Sequence, residues 1–132
     1  MNGSVAYLDA SAFVKLVLPE RESDALAAAI DVWELASSAL LEVESVLAAR
    51  RREPSEEATA RELLRGVELI DLRPDIRRVA ANVPDPSLRS LDAVHLATAL
   101  SLRDHLGAFF VYDKKLAAAA QAHGLPVTVP QP

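Results

Sequence analysis

The chain predicts an α/β domain of three layers, α/β/α, built on a mostly parallel central sheet. Three observations carry this reading. Short β-type runs alternate with helical segments along the whole sequence, the pattern of parallel strands joined by crossover helices that cover both faces. At 132 residues the chain is the size of one ordinary domain with a core of its own. No internal repeat, low-complexity tract or change of composition divides it, so residues 1–132 are expected to form a single domain.

Each element follows from its local pattern. "SVAYLDAS" opens with a strand around Val5 to Leu8, with Asp9 at its end. "AFVKLVLPE" has helical spacing, with Ala12, Leu16 and Val17 on one face, until Pro19 stops it. "ESDALAAAI" is an alanine-rich helix, and "VWELASS" a short strand leading into a helix capped by Ser37 or Ser38. That helix, "ALLEVESVLAARRR", ends in Arg50, Arg51 and Arg52, which suit the negative end of the helix dipole and could equally form a basic rim. "PSEEATARELLRG" is a helix begun by Pro54 or Ser55, with Glu56 and Glu57 in its first turn and Gly66 at its end. "VELIDL" is a strand, "PDIRRVAANV" a helix and "PDPS" a loop. "LRSLDAVHLATALSLRDHLG" predicts a long helix from near Ser90 to Gly107. "AFFVY" is a buried strand, "KKLAAAAQAHG" a helix closed by Gly124, and "LPVTV" a last short strand.

Composition narrows the chemistry. The chain has no cysteine, which excludes thiol catalysis, disulfides and thiolate metal sites. Its three histidines are scattered and give no structural zinc pattern. The start "MNGSVAYLDA" lacks the basic and apolar segments of a signal peptide, and no run approaches the roughly 20 apolar residues that span a bilayer. A cytoplasmic protein with no membrane association is the expectation. The net charge of −5 argues against broad, nonspecific nucleic-acid binding but leaves room for a local basic rim around an acidic pocket.

The acids hold the chemistry. In parallel sheets, ligands bind beyond the carboxyl ends of the strands, where Asp9 and Asp113 are expected. Each could also simply cap the helix that follows. Asp92 lies in the first turn of a helix that is apolar nearly all round (Leu91, Val94, Leu96, Ala97, Ala99, Leu100). The dipole contributes roughly 0.3–1 kcal/mol there, less than the several kcal/mol that burial of an unpaired charge costs. Asp92 therefore calls for a basic neighbour such as Arg89, or for a cation. In "LLEVES", Glu42 and Glu44 differ by about 200° around a helix, so at most one faces a shared pocket. Glu44 flanks the apolar stripe of Leu40, Leu41, Leu47 and Ala48 and is the better candidate. Two like charges ~4 Å apart repel by roughly 4 kcal/mol at an effective dielectric near 20. A divalent cation relieves this, and an all-oxygen pocket suits Mg²⁺ or Mn²⁺, which points to metal-dependent phosphoryl chemistry, most simply nuclease action.

"VAYLDASAFVKLVLPERES", "SSALLEVESVLAARR", "LRSLDAVHLATAL" and "FVYDKKLAAAAQAHGLPV" resemble, in order and at ordinary spacing, the motifs of PIN-domain proteins, above all the VapC-type toxins of bacterial toxin–antitoxin pairs. The resemblance implies a compact PIN-like fold and a ribonuclease site of acids binding Mg²⁺ or Mn²⁺, which maps to Asp9, Glu44, Asp92 and Asp113. The glutamate is the one six residues after Ser38, again Glu44. Ser11 would be a polar neighbour of the metal site. Val111 stands where many relatives carry Thr or Ser, so a hydroxyl near the last acid is missing. The resemblance further implies a small antitoxin partner, an RNA substrate and a homodimer. Phe13, Val14, Val17 and Leu18 could offer a groove to an antitoxin helix, although burial in the chain's own core explains them equally.

Other residues have plainer readings. His95, one turn after Asp92, is expected to be a satisfied core histidine rather than a base, since metal-activated water needs no imidazole. Lys15, Lys114 and Lys115 could meet RNA phosphates or be solvated helix charges. Trp33, Phe13, Phe109 and Phe110 read as core or interface residues. Two other functions compete. One is a catalytically weakened PIN domain that binds RNA or protein, motivated by Val111. The other is a receiver-like signalling domain, whose ordered set of a phosphorylatable Asp, then Thr or Ser, then Lys at strand ends is absent here.

Overall fold

A computed structural model describes residues 3–132. Five strands, β1 (Val5–Leu8), β2 (Glu34–Ser38), β3 (Val67–Ile70), β4 (Leu106–Phe110) and β5 (Val127–Thr128), form one sheet of order β3-β2-β1-β4-β5. Every pairing is parallel, so the mostly parallel sheet of the sequence reading is wholly parallel. Seven α-helices connect the strands: α1 (Ala10–Val17), α2 (Ser23–Ile30), α3 (Leu40–Arg52), α4 (Glu57–Leu64), α5 (Pro74–Ala81), α6 (Ser90–Ser101) and α7 (Lys114–Ala122). No helix among the described residues is long and apolar enough to cross a membrane.

Strand alternation sorts the core into two layers. Ala6, Leu8, Ala108 and Phe110 point to a cluster filled by Phe13, Val17, Leu26, Leu41, Val46 and Leu64 from α1 to α4. Tyr7 and Phe109 point the other way, to Leu96 and Ala99 of α6 and Leu116 and Ala120 of α7, and Leu106 joins them because the register shifts by one residue between Leu106 and Ala108. Ala36, Ile70, Ile76 and Ala97 continue that second layer under α5. The connections after β1 and β2 therefore lie on one face, and those after β3 and β4 on the other. Direction reverses between β1 and β4, which makes the crevice at their carboxyl ends the topological switch point.

Three sequence expectations change. The α6 helix stops at Ser101, a 3-10 turn follows over Arg103–His105, and Gly107 lies inside β4 rather than at a helix end. Its glycine is required by packing, because a Cβ there would collide with the Gly3 carbonyl and the Trp33 ring. The start of α4 is likewise split off as a 3-10 turn at Pro54–Glu56. Finally, Phe13, Val17 and Leu18 are buried against the sheet, so of the proposed α1 groove only Val14 and the edge of Leu18 border surface clefts, and these are separate ones. Of the aromatic residues expected in the core, Phe13, Phe109 and Phe110 are fully buried, and Trp33 is partly buried against the first layer.

Gly107→Ala is expected to destabilise the fold by roughly 1–3 kcal/mol through overpacking. Urea unfolding checks this, and Trp33→Ala in the same chain should recover part of the loss.

Candidate active site

The register of β1 with β4 sets Leu8 opposite Phe110, and the next backbone amide, that of Asp9, donates to the Phe110 carbonyl at 3.3 Å. Asp9 then caps α1, its Oδ1 accepting the Ala12 N–H at 2.9 Å. Asp113 caps α7 in the same way, accepting the Leu116 N–H at 2.8 Å. Cap and site are not alternatives here, because capping by Asp113 occupies one carboxylate oxygen and leaves the other. Ser11 joins the two ends. Its Oγ lies 2.7 and 2.8 Å from the two Asp9 oxygens and accepts the N–H groups of Tyr112 and Asp113 at 2.9 and 3.2 Å.

Glu44 and Asp92 complete the group. Glu44, Asp92 and Asp113 line one cleft of about 680 Å³ together with Arg89, Lys114 and Lys115. Glu44 and Asp113 also border a second cleft, of about 440 Å³, with Ser11, Lys15 and Arg52. Glu42 is exposed on the far side of α3 beside Arg61, so of the two glutamates it is Glu44 that faces the acid cleft. The apolar stripe used to make it was only partly right, since Leu47 is exposed and Ser45 is buried, its hydroxyl donating to the Leu41 carbonyl.

Glu44 is positioned by residues from two other elements. The hydroxyl of Tyr7 lies 2.6 Å from His95 Nδ1, and His95 Nε2 lies 2.7 Å from Glu44 Oε1. Tyr7 also accepts the Ser38 N–H at 3.1 Å, and burial pushes its hydroxyl well above the ordinary phenol range. A phenol that keeps its proton and accepts from Ser38 can donate to Nδ1. With either ring tautomer the Nε2 side of the imidazole faces Glu44 and holds its Oε1 at hydrogen-bond distance. His95 is thus the satisfied core histidine expected, and its satisfaction is what orients an acid of the cleft. Tyr7 was missed. Its signal was a phenol two residues before Asp9 on a strand whose neighbours are aliphatic.

Burial pushes the Asp9 carboxyl up to about 6, against the opposing pull of its hydrogen bonds from Ser11 and Ala12. Burial, then the charges of Asp113 and Glu44, raise Asp92 as well. Asp92 is only partly buried, and Arg89 assists it through its backbone and forms no ion pair with it. Among the described residues no lysine or arginine is ion-paired to Asp9, Glu44, Asp92 or Asp113. The carboxylates of the cleft are therefore not neutralised by direct ion pairs with lysine or arginine, and their donors are all hard oxygens, the chemistry that would fit Mg²⁺ or Mn²⁺. No three of the described acids or histidines are gathered round one point that could hold a metal ion.

The remaining predicted residues divide. Lys114 and Lys115 border the acid cleft. Lys15 faces the second cleft but is committed, bridging Glu20 and Glu22 at 3.1 and 3.0 Å beneath the Tyr112 ring. Of the arginine triplet, Arg50 pairs with Glu57 and Arg52 with Glu20, while Arg51 donates to the Leu47 carbonyl of its own helix. Val111 is fully buried in the second core layer, among Tyr7, Leu96 and Leu116, and lines neither cleft. Arg89, expected only as a basic neighbour of Asp92, lines the cleft mouth without pairing to it, and Ser87 beside it was missed, having no local feature beyond its closeness to Asp92.

Two outcomes test this geometry. The unfolded chain releases the Asp9 proton near the ordinary 3.8 and the folded chain near 6, so Asp9 favours the fold below about pH 4 and that advantage is lost as the pH rises through 6. Relative to Asp9→Asn, which keeps the cap, the wild type should lose about 3 kcal/mol of stability across this window, measured by urea unfolding in EDTA. Tyr7→Phe removes the hydroxyl beside His95 and should weaken Mn²⁺ binding about 10-fold by calorimetry, with a stability loss of roughly 1–3 kcal/mol.

Comparison with known proteins agrees with the fold and places the chain. The PIN domain family matches residues 6–122. Ribonuclease VapC35 of Mycobacterium tuberculosis is 41% identical over 129 residues, covering 94% of this chain and 96% of that protein. Ribonuclease VapC47 of the same species is 32% identical over 130 residues, with the same coverage. Among solved structures, a toxin–antitoxin complex from Klebsiella pneumoniae superposes with a TM-score of 0.72 at 26% identity, over 95% of this chain and 97% of that one. On sequence and fold alike, the chain belongs to the PIN domain family, in its VapC branch.

Proposed function

We propose that this protein is a divalent-cation-dependent endoribonuclease, the toxin of a toxin–antitoxin pair. The observation that carries the reading is the acid cleft at the switch point: Glu44, Asp92 and Asp113 border it, Ser11 links Asp9 to the Asp113 amide, and none of the four is ion-paired to a lysine or arginine among the described residues. The names of the relatives, ribonucleases VapC35 and VapC47, agree with it. The likeness to a toxin–antitoxin complex supports an antitoxin partner. A homodimer and a cytoplasmic location, where RNA is at hand, belong to the same proposal.

Asp9, Glu44, Asp92 and Asp113 would hold Mg²⁺ or Mn²⁺, which when bound supplies an activated water and neutralises charge on the phosphate. The chain's own residues do the rest. Asp9 is fixed by Ser11 and the α1 amide, Glu44 by His95 and Asp113 by the α7 amide, so three of the four acids are oriented before any ligand arrives. Lys114 and Lys115 at the cleft mouth meet the RNA phosphates flanking the cut. The alternative of a weakened, binding-only domain rested on Val111. The burial of that side chain away from the cleft removes its motive.

Purified chain, freed of any partner, should cleave RNA with Mg²⁺ or Mn²⁺ and lose that activity with EDTA or with Asp92→Asn. Sequencing of the ends from total RNA is the measurement. Cleavage that survives the chelator or the substitution overturns the proposal.

A further inference from the structure

The cations around the acid cleft fall into two groups according to what they already bind. Those lining the clefts on the α1, α3 and α4 side are all ion-paired: Lys15 with Glu20 and Glu22, Arg52 with Glu20 at 3.5 Å, and Arg61 with Glu57 at 3.1 Å. On the opposite side, Arg89, Lys114 and Lys115 line the acid cleft. Arg77 and Arg89 line a further groove of about 430 Å³ between α5 and α6. All four are exposed, and among the described residues none forms an ion pair. The acid cleft and this groove share Arg89 and Ser90 and so adjoin, with a free cation at the join. The one carboxylate lining the groove, Asp85, is already engaged, accepting from the N–H and hydroxyl of Ser87 at 2.9 and 2.7 Å with Lys115 nearby.

A polyanion binds through the phosphates it neutralises. A cation that two carboxylates already share must give them up to do so, and a free one need not. In a chain of net charge −5, the direction in which uncommitted cations continue away from the cleft decides where a strand can lie. We infer that single-stranded RNA leaves the acid cleft in one direction only, over Arg89 and into the α5/α6 groove as far as Arg77, and does not cross Lys15 and Arg52. This rests on the ribonuclease reading and deepens it. Apart from its charged and hydroxyl groups the groove is lined by aliphatic residues such as Val83, Pro86 and Leu88, with no aromatic ring among its lining residues. It therefore holds phosphates and does not stack bases, so this end of the path sets substrate length and leaves sequence free.

The test uses the full chain carrying Asp92→Asn in Mg²⁺, with labelled RNA oligonucleotides of increasing length and fluorescence anisotropy over a salt series. Affinity should rise with length. Arg77→Ala should abolish that rise, reduce the salt slope on long RNA by about 0.7, the contribution of one single-strand phosphate, and leave the shortest oligonucleotides unaffected. Arg52→Ala should leave both length dependence and slope as they were. If Arg52→Ala removes the length gain, or Arg77→Ala changes no length, the path is wrong while cleavage by the wild type keeps the nuclease reading. If Arg77→Ala instead releases a co-purified protein with RNA binding unchanged, the groove is a protein interface and the inference falls. A wild type that neither cleaves nor binds RNA overturns the underlying reading itself.

Discussion

Leu8 stands opposite Phe110, and the site follows from that register. The next residue on β1 is Asp9, and the chain leaving β4 reaches Asp113 as it turns into α7. Both positions ask for a residue that can cap a helix, and Asp does so with one oxygen. A side-chain period of two makes the pairing strict, since a slip of one residue would turn Tyr7 into the α1 layer and Leu8 into the α6 layer. Tyr7 would then lose His95, and Glu44 its partner. The site is in this sense a by-product of correct strand pairing. It is stabilised as much by the two core layers as by its own contacts.

Concentrating acids in one place works against the fold, and the structure limits the cost locally. Asp9, the most buried of them, is surrounded by donors from Ser11 and Ala12. Glu44 is held by His95. Asp92 and Asp113 reach the cleft and solvent, where repulsion is screened. Asp9, Glu44 and Asp113 thus each keep a fixed partner, and the acids open to solvent lose least to repulsion.

Most of the architecture was legible because it depends on local patterns. Alternating apolar runs gave the strands, proline and glycine bounded the helices, and an Asp between each strand and the next helix marked two of the four acids. What was not legible depends on contacts between distant residues. Gly107 looked like a helix terminator, and only the Trp33 ring packed over it explains a glycine inside β4. The Tyr7 and His95 contact spans 88 residues, and nothing next to either residue announces it. Lys15 looked available for RNA until the chain folded back to bring Glu20 and Glu22 against it. Val111 looked like a missing site group because sequence offset cannot tell a side chain facing the cleft from one facing the core.

The Ser11 hydroxyl has a consequence in time. It holds Asp9 and the amide of Asp113 together across 102 residues of chain. At about 5–20 residues per second, synthesis takes roughly 5–20 s to travel from one to the other. Through that interval the growing chain carries the first acids of the cleft without the last, and β1 has no β4 to lie against. A product cut short before β4 is therefore inert, and a complete one gains its acid cleft all at once, late in its making. For a protein whose proposed work would harm the cell that makes it, this order leaves a partner time to be present before there is anything to restrain.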